Sequence, residues 1–544
     1  MEILDLTAVE LGERIRKREL SAPEALEAVY DACRERDRNW NAYAAFEIDP
    51  ARTAAQHAQS ALDSGAAVSI LTGVPVGIKD NISVRNCLTT CASRILQGYR
   101  APFDATAVRK LKDAGAVPAG TLNMDEFAMG STSETSCYGP VRNPWNINHV
   151  PGGSSGGAAA AVAARECICA LGSDTGGSVR QPASYCGVTG FKPSYGRVSR
   201  YGLIAYGSSL DQIGPLARDV RDCAALMDII AGTDSADATS VKFPDSAASA
   251  TFPHSAAPDS GFLSALSGDI RGLRVGVPEE CFGDGVEEDV AVCVRGFIDE
   301  LRRAGAEIMP LSLPFIRYAV PTYYILATAE ASSNLSRFDG VKYGYRTEHY
   351  HSMEELYVRS RSEGFGKEVQ KRILLGTFVL SSGYYDAYYN KALRLKRTIA
   401  EGFASAFRDC DVIAMPVSPT TAPALGSSLA DPLKMYLSDI FTVPANLAGL
   451  PGISVPCGFD RHGLPVGAQL LGAVGADATV LNAAYAYQLA TDWHTRRPPG
   501  DVPGSAETLD APGNAETLNA SEGAETLNAA GSAETLEKEA SGNA

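Results

Sequence analysis

Short apolar runs alternate with longer amphipathic stretches along most of the 544-residue chain. Within residues 6–37 this pattern predicts two helices, and the spacing of Ser21 and Glu24 is that of a capping box at the start of the second. Residues 273–277, 290–304 and 307–311 follow one another as strand, helix and strand. Such alternation is typical of an α/β fold in layers.

The same pattern predicts the elements around the most unusual stretch of the chain. A buried strand at 74–78 ends at Lys79, and a helix at 104–114 leads into a strand at 116–119. Further strand candidates lie at 167–171, 187–193, 198–205, 411–416, 452–456 and 466–471, the last two joined by a turn at 460–463. Further helices are predicted at 323–337, 369–395 and 478–491.

The composition changes near residue 497. Ala-Glu-Thr-Leu recurs from residues 506, 515, 524 and 533 among Gly, Asn and Ser, and large apolar residues are almost absent. A segment of this kind cannot bury enough surface to offset the entropy of ordering it. We therefore expect one domain over residues 1–497 and a disordered acidic tail over 498–544. Residues 234–267, rich in Ser, Ala, Asp and Pro, are expected on the surface.

Charge and composition exclude several functional classes. The net charge of -16 argues against a chain that grips a nucleic-acid backbone by itself. No apolar run is long enough for a membrane helix, and the N-terminus resembles no secretory signal, which favours a cytoplasmic protein. The twelve cysteines include no C-x-x-C pair, so we expect reduced thiols and no metal site.

Candidate chemistry concentrates in residues 151–182, where two glycine-rich turns present Ser154 and Ser178. Glycine lets backbone N–H groups approach a ligand closely, so the turns are typical of a site built from hydroxyls and main-chain donors. Lys79 follows an apolar strand, and the residues alone leave a buried amine and a solvated one equally open.

Residues 152–156 also match G-x-S-x-G, the nucleophile elbow of α/β-hydrolases, with Ser154 as nucleophile. An elbow needs a strand directly before the serine, but Pro144 and Pro151 bound that segment, and the histidines lie in no recognisable catalytic setting. No phosphate-binding G-x-x-x-x-G-K-[ST] occurs. The remaining interpretation is a serine nucleophile served by a neutral lysine.

Three blocks resemble the amidase signature family: Ile78-Lys79-Asp80, the G-G-S-S-G-G run at 152–157, and G-S-D-T-G-G-S-V-R-Q-P at 172–182. Blocks at 191–199, 360–366, 383–389 and 446–452 are similar to the family members that act as glutaminase subunits of tRNA-dependent amidotransferases. The resemblance covers roughly residues 1–493. It implies an α/β/α sandwich in which helices cover both faces of a large mixed sheet.

The resemblance also implies roles for individual residues. Ser178 corresponds to the acyl-forming nucleophile, Ser154 to the bridging serine that relays its proton, and Lys79 to the base. A lysine with an ordinary pKa is neutral at pH 7 only at a cost of about 4–5 kcal/mol, which desolvation can remove. The family's oxyanion hole corresponds to the backbone N–H groups of Thr175, Gly176, Gly177 and Ser178.

For substrate binding, the resemblance points to Arg372 for a carboxylate and Asp439 for an ammonium group, with Tyr323 beside them. Arg361 is a rival for the carboxylate, and spacing alone does not separate substrate contacts from structural ion pairs.

The implied activity is glutamine hydrolysis within a carbon–nitrogen ligase that uses glutamine as amido donor in protein biosynthesis. The resemblance implies a heterotrimer with two further subunits, one of which uses ATP and Mg²⁺ to convert Glu-tRNA(Gln), or Asp-tRNA(Asn), with the ammonia supplied. This chain then needs no cofactor or metal and meets tRNA only through its partner. A stand-alone amidase of small amides and an inactive scaffold subunit remain open, although intact Lys79, Ser154 and Ser178 argue against the scaffold.

Overall fold

A computed structural model describes residues 2–66, 68–243, 261–283 and 285–499. The predicted tail at 498–544 lies outside the described residues from position 500 onward, as do residues 244–260 of the predicted surface segment. No helix in the described part of the chain is both long and apolar enough to cross a membrane.

Eleven strands form one mixed sheet in the order β1-β3-β2-β4-β6-β5-β10-β11-β9-β7-β8. Their bounds are β1 Tyr43–Ala45, β2 Pro75–Lys79, β3 Val117–Leu122, β4 Cys169–Asp174, β5 Thr189–Lys192, β6 Gln212–Ala217, β7 Arg274–Pro278, β8 Glu307–Leu311, β9 Val412–Pro416, β10 Gly452–Phe459 and β11 Pro465–Gly472. Strands β3, β2 and β4 run parallel at one side of the sheet, and β8, β7 and β9 run parallel at the other. The strands between them are antiparallel.

The helices are α1 Ala8–Arg16, α2 Ala22–Arg36, α3 Ile48–Asp63, α4 Thr106–Asp113, α5 Gly156–Ala163, α6 Arg180–Cys186, α7 Val220–Ile230, α8 Glu288–Arg303, α9 Ala319–Leu335, α10 Met353–Gly364, α11 Lys367–Leu380, α12 Lys391–Asp409, α13 Ser427–Ala430, α14 Pro432–Ser438, α15 Val443–Leu447 and α16 Asp477–Ala490. A π-helical turn, Tyr385–Asn390, leads directly into α12. The capping box predicted at Ser21 and Glu24 is present at the start of α2.

Helices cover both faces of the sheet, as the alternation of apolar side chains along β9 demonstrates. Val412 and Ala414 pack in one core cluster together with residues of α7, α8 and α16. Ile413 and Met415, which point to the opposite face, pack in another cluster with residues of α9 and α12. The predicted α/β sandwich with a mixed central sheet is therefore confirmed.

Strands β1 and β6 were not predicted, and one predicted strand, at 198–205, is not found in the described structure. Strand β1 has only three residues and lies at the edge of the sheet. Strand β6 lies between β4 and β5, although Gly214 and Pro215 in its interior are residues typical of a turn. Gly214 is needed because the backbone carbonyl of Phe191 on β5 occupies the position of a Cβ atom. A glycine inside a strand here marks close backbone approach rather than a turn.

The sheet brings the chemically unusual segments to one edge. Strands β2 and β4 are parallel neighbours, with Ile78 opposite Leu171, so Lys79 and the residues after Leu171 emerge together at their carboxyl ends. Helix α5 starts directly after Ser155, and α6 starts two residues after Ser178. Carboxyl ends of parallel strands are the usual location of ligand sites in α/β sheets.

Candidate active site

The amine of Lys79 is fully buried and surrounded by hydroxyl groups. Its Nζ lies 2.8 Å from Ser154 Oγ, 2.8 Å from Ser155 Oγ and 2.9 Å from Ser173 Oγ, with the Ser173 carbonyl at 3.3 Å. Every residue of β2 is buried, so the side chain starts from inside the protein. The structure thus supports the buried amine rather than the solvated one.

Burial lowers the pKa of Lys79 to about 7, although the carboxylates of Asp125, Asp174 and Asp211 act in the opposite direction. A lysine with this pKa is neutral in about half of the molecules at pH 7. Its lone pair is then available to accept a proton from a neighbouring hydroxyl, which an ordinary surface lysine cannot do at this pH.

Two of the serines around this amine were not found from the sequence. Ser155 follows the predicted bridging serine directly, and Ser173 lies near the end of β4, where Asn81 also donates to its Oγ at 2.9 Å. Ser173 precedes the glycine-rich turn at 174–178 and belongs to a wholly buried strand. A hydroxyl residue in such a strand is a signal that a polar partner lies nearby.

Ser154 and Ser178 lie on adjacent loops. Ser154 is fully buried, Ser178 is 7% exposed, and the Ser155 N–H donates to the Ser178 carbonyl at 3.1 Å. No hydrogen bond joins the two side-chain hydroxyls of Ser154 and Ser178 within the described residues. Catalytic hydrogen bonds often shorten only when substrate binds. The Lys79–Ser154 contact is therefore present, while the proton relay from Ser178 to Ser154 stays a prediction.

The hydrolase elbow lacks the strand that it requires. Between β3 and Ser154 the described chain forms turns and isolated bridges, such as Asn143 with Asn146 and His149 with Ala424, but no strand. Ser154 itself contacts a lysine rather than a histidine. This geometry disfavours Ser154 as an α/β-hydrolase nucleophile.

The predicted oxyanion hole is only partly consistent with the structure. The N–H of Gly177 donates to Asp174 Oδ1 at 2.9 Å, so in this structure it is directed at a carboxylate instead of the site. The N–H groups of Thr175, Gly176 and Ser178 have no acceptor among the described residues. These three donors agree with the predicted role, and Gly177 does not, because Asp174 accepts its hydrogen bond.

A buried ion pair between Asp174 and Arg180 fixes the loop that carries Ser178. Arg180 donates to both carboxylate oxygens at 3.0 Å, and Asp174 also accepts from the N–H groups of Gly177 and Val179. Burial acts to raise the pKa of Asp174, but the charge and hydrogen bonds of Arg180 hold that pKa at about 2. The pair was not predicted, and its signal in the sequence is an acid and an arginine that flank the glycine-rich turn six residues apart.

The guanidinium group of Arg372 is buried, and one of its nitrogen donors has no hydrogen-bond partner among the described residues. Its Nε donates to Glu368 at 2.8 Å and its Nη1 donates to the Tyr206 hydroxyl at 2.7 Å. Its Nη2 is buried and has no hydrogen-bond partner among the described residues. A buried guanidinium nitrogen without a partner is costly, and a bound carboxylate would satisfy it. Tyr206, which the sequence did not indicate, holds the other side of this guanidinium.

Asp439 lies close enough to Arg372 for that charge to lower its pKa. Burial is nevertheless the dominant effect and raises the pKa of Asp439 to about 7, against the hydrogen bond that Ser131 Oγ donates at 2.6 Å. A cationic group bound beside this carboxyl would favour its ionised form. Asp439 thus has the properties that an ammonium subsite needs.

The structure separates the two candidate arginines. Arg361 donates from Nη1 to the carbonyls of Leu335 and Phe338 at the end of α9, which is a structural role. The predicted Tyr323 lies on α9 with its phenol ring against Gly176, where even a Cβ atom would meet the ring at 2.7 Å. Arg372 lies within electrostatic reach of Tyr323 and so belongs to the surroundings of the glycine-rich turn, which Arg361 does not share. In the described part of the chain, no group of His, Cys, Asp and Glu side chains could hold a metal ion.

Comparisons with known proteins identify the family of the chain. Residues 24–481 match the family model described as Amidase. The chain is 54% identical over 490 residues to the A subunit of the glutamyl-tRNA(Gln) amidotransferase of Lachnospira eligens, and the matched region covers 90% of this chain and 99% of the relative.

Two solved structures share the fold. The crystal structure of the A subunit of glutamyl-tRNA(Gln) amidotransferase from Thermotoga maritima is 42% identical, with a match that covers 89% of this chain and 95% of the other and a TM-score of 0.71. Native peptide amidase from Stenotrophomonas maltophilia is 29% identical, with a match that covers 91% of this chain and 98% of the other and a TM-score of 0.75.

The buried amine predicts how the reactivity of Ser178 depends on pH. A fluorophosphonate should form a bond from phosphorus to Ser178 Oγ with loss of fluoride, and the rate should rise about tenfold per pH unit up to about pH 7 and then level off. Below that pH Lys79 is protonated and cannot accept the serine proton. The modified residue is identified by peptide mass spectrometry.

Lys79→Arg should lose at least about 10²-fold in this rate at and above pH 7, because arginine stays protonated, and the difference should shrink at lower pH, where Lys79 is protonated as well. Lys110→Arg is the matched control, since Lys110 is partly buried and donates to the carbonyls of Ile230 and Ala231, which do not belong to the segments that form this site. A labelling rate that does not change with pH would exclude Lys79 as the base. A Lys79→Arg variant that is labelled as fast as the unmodified chain would exclude it as well.

Proposed function

The chain belongs to the amidase family, and on that premise we propose that it is the glutaminase subunit of a tRNA-dependent amidotransferase. In this proposal Ser178 hydrolyses the side-chain amide of glutamine, and the ammonia passes to a partner subunit. Three relatives named as the A subunit of glutamyl-tRNA(Gln) amidotransferase, at about half identity over most of both chains, support this assignment.

The observation that carries the substrate assignment is that Asp439 lies within electrostatic reach of Arg372, whose Nη2 has no partner among the described residues. The free Nη2 of Arg372 suits the α-carboxylate of an amino acid, and the carboxyl group of Asp439 suits its α-ammonium group. Tyr206 accepts from Arg372, and the ring of Tyr323 lies against Gly176, so these two tyrosines connect the arginine with the glycine-rich turn. A free amino acid with a side-chain amide fits these groups and the reactive serine together.

The reaction follows from the arrangement of this chain's own residues. Neutral Lys79 accepts the proton of the Ser154 hydroxyl, and Ser154 accepts the proton of the Ser178 hydroxyl. At the same time Ser178 Oγ attacks the amide carbon of the substrate. The oxyanion that forms is stabilised by the N–H groups of Thr175, Gly176 and Ser178, since donors of this kind each contribute about 10²–10³ in rate. The C–N bond then breaks, and the proton returns through Ser154 to the leaving ammonia. Water cleaves the glutamyl ester and regenerates Ser178.

The same proposal assigns the rest of the pathway to other chains. Two further subunits complete a heterotrimer, and one of them uses ATP and Mg²⁺ to amidate Glu-tRNA(Gln) or Asp-tRNA(Asn). The acidic composition and the absence of a phosphate-binding loop motif support the view that this chain meets tRNA only through its partner. We place the complex in the cytoplasm, where tRNA is used in protein synthesis.

A stand-alone amidase acting on small amides is the second candidate. The similarity to peptide amidase favours it, because that relative has the same fold over nearly its whole length. The two proposals differ in substrate: an amidase of small amides has no need of Arg372 and Asp439, and its activity should not rise when partner subunits are added.

Loss of the Ser178 hydroxyl should separate glutamine hydrolysis by this chain from amidation of tRNA by its partner subunit. In the complex reconstituted with its partner subunits, Ser178→Ala should lower glutamine-dependent amidation of Glu-tRNA(Gln) by at least about 10⁴-fold, because the nucleophile is lost. Amidation supplied with free ammonia should remain within about twofold of the unmodified complex. Radiolabelled aminoacyl-tRNA analysis measures both, and equal loss of the two activities would contradict the proposal.

Substitution of Arg372 tests the carboxylate subsite. Arg372→Lys should raise the KM for glutamine about 10–100-fold, since lysine cannot reproduce the planar pairing of a guanidinium with a carboxylate. The matched control is Arg361→Lys, which alters only the contacts at the end of α9 and should leave this KM within about twofold. Steady-state measurement of ammonia release decides the question. A KM that responds to Arg361 instead would reassign the subsite.

A further inference from the structure

The side chain of Gln181 connects loops on different sides of the candidate site. Gln181 lies in the first turn of α6, three residues after Ser178, and is fully buried. Its Oε1 accepts from the N–H of Gly153 at 2.9 Å. Its Nε2 donates to the carbonyl of Ser131 at 3.0 Å and lies 3.4 Å from Ser438 Oγ.

Each of these contacts adjoins a residue with a proposed chemical role. Gly153 directly precedes Ser154, whose hydroxyl contacts Lys79. On the other side, Ser131 donates from its own Oγ to Asp439 at 2.6 Å, and Ser438 directly precedes Asp439. One carboxamide therefore joins the loop of the bridging serine to the loops that hold the ammonium subsite.

An amide side chain satisfies both neighbours at once whatever the pH. The Gly153 N–H needs an acceptor and the Ser131 carbonyl needs a donor. The side-chain amide of glutamine supplies both, an accepting Oε1 and a donating Nε2 on the same carbon. Ionised glutamate would place a second acceptor against the Ser131 carbonyl, while methionine would leave both backbone groups unpaired. The identity of this residue is thus constrained by hydrogen bonding as well as by size.

The surroundings also dictate which variants are informative. Gln181, Ser131 and Ser438 all line a cavity of about 870 Å³, so a truncated side chain would enlarge that cavity and alter solvent access. Gln181→Met keeps the length of the side chain and removes only its hydrogen bonds. It is therefore the substitution that tests the carboxamide itself.

We propose that Gln181 is a positioning residue that couples the ammonium subsite at Asp439 to the alignment of Ser154. The inference rests on the proposed function, because it takes Asp439 as the group that binds the α-ammonium of glutamine. The hydrogen bonds of the Gln181 side chain go to Gly153, Ser131 and Ser438 and not to Lys79, Ser154 or Ser178. It holds Ser131, and through it Asp439, at a fixed place relative to the serine that relays the proton.

The test compares glutamine with glutarate monoamide, which is glutamine without its α-amino group. The ratio of kcat/KM for these two substrates measures the contribution of the ammonium subsite. In the complex reconstituted with its partner subunits, Gln181→Met should lower this ratio about tenfold, because Ser131 is no longer held and Asp439 loses its fixed position. It should also lower kcat for both substrates, because the loop before Ser154 loses its anchor.

Gln212→Met is the matched control. Gln212 is equally buried, and its carboxamide likewise accepts one backbone N–H, from Gly196 at 2.9 Å, and donates to one backbone carbonyl, Val198 at 2.9 Å. It therefore loses the same kind of hydrogen bonds as Gln181→Met. Its substrate ratio should stay within about twofold of the unmodified chain, since its partners do not adjoin the site.

A double-mutant cycle with Ser131→Ala tests the coupling directly. Because Gln181 acts on Asp439 through Ser131, the two substitutions together should lower the ratio little more than the larger single effect. If the double variant instead lowers the ratio by the product of the two single-variant factors, the two residues act independently and the proposal is wrong. The proposal is also wrong if the ratio for Gln181→Met equals that for the Gln212→Met control. If Gln181→Met does not fold, Gln181→Leu replaces it in the cycle, since it is similar in size and likewise makes no hydrogen bond.

Failure of the proposed function is distinguishable from failure of this inference. If the unmodified complex does not hydrolyse glutamine, or does not prefer it to glutarate monoamide, the proposed function is wrong. Fluorophosphonate labelling of Ser178 still reports on the alignment of Ser154 in that case. An unchanged labelling rate in Gln181→Met would then overturn the positioning role independently.

Discussion

The contact between the Lys79 amine and the Ser154 hydroxyl is the interaction on which the rest of the site depends. At 2.8 Å it is a hydrogen bond, but it gives a base only if the amine is neutral. Water would keep the amine charged, so the chemistry needs the dry surroundings that β2 and its neighbours provide. Burial of one strand is in this sense a catalytic requirement as well as a source of stability.

A second constraint follows from placing charged groups in the same interior. Removing an ion pair from water is expensive unless its hydrogen bonds are complete. Arg180 meets this condition, since its guanidinium donates to Asp174, to the Thr442 carbonyl, to Gln469 and to Asn446. The pair in turn fixes the N–H groups of the turn that carries Ser178. A glycine-rich sequence has many accessible backbone conformations, and the hydrogen bonds of Asp174 and Arg180 hold the turn at 174–178 in one of them.

Local sequence signals predicted the elements whose cause is local. The capping box at Ser21 and Glu24 and the apolar run before Lys79 each have their explanation within a few residues, and both are found in the structure. Strand β6 was not predicted, because the reason for Gly214 is the carbonyl of Phe191 on another strand. Likewise Ser155 and Ser173 meet Lys79 only after β2 and β4 pair, so spacing along the chain could not show that they share one amine.

The most direct test of the account is the ionisation of Lys79 itself. In protein labelled with ¹³C at lysine Cε, the resonance missing from the Lys79→Arg spectrum belongs to Lys79, which distinguishes it from Lys192, another buried lysine whose pKa burial lowers to about 7. The account predicts that this resonance titrates near pH 7 in the folded chain. A resonance that titrates above about pH 9, as an exposed lysine does, would contradict it.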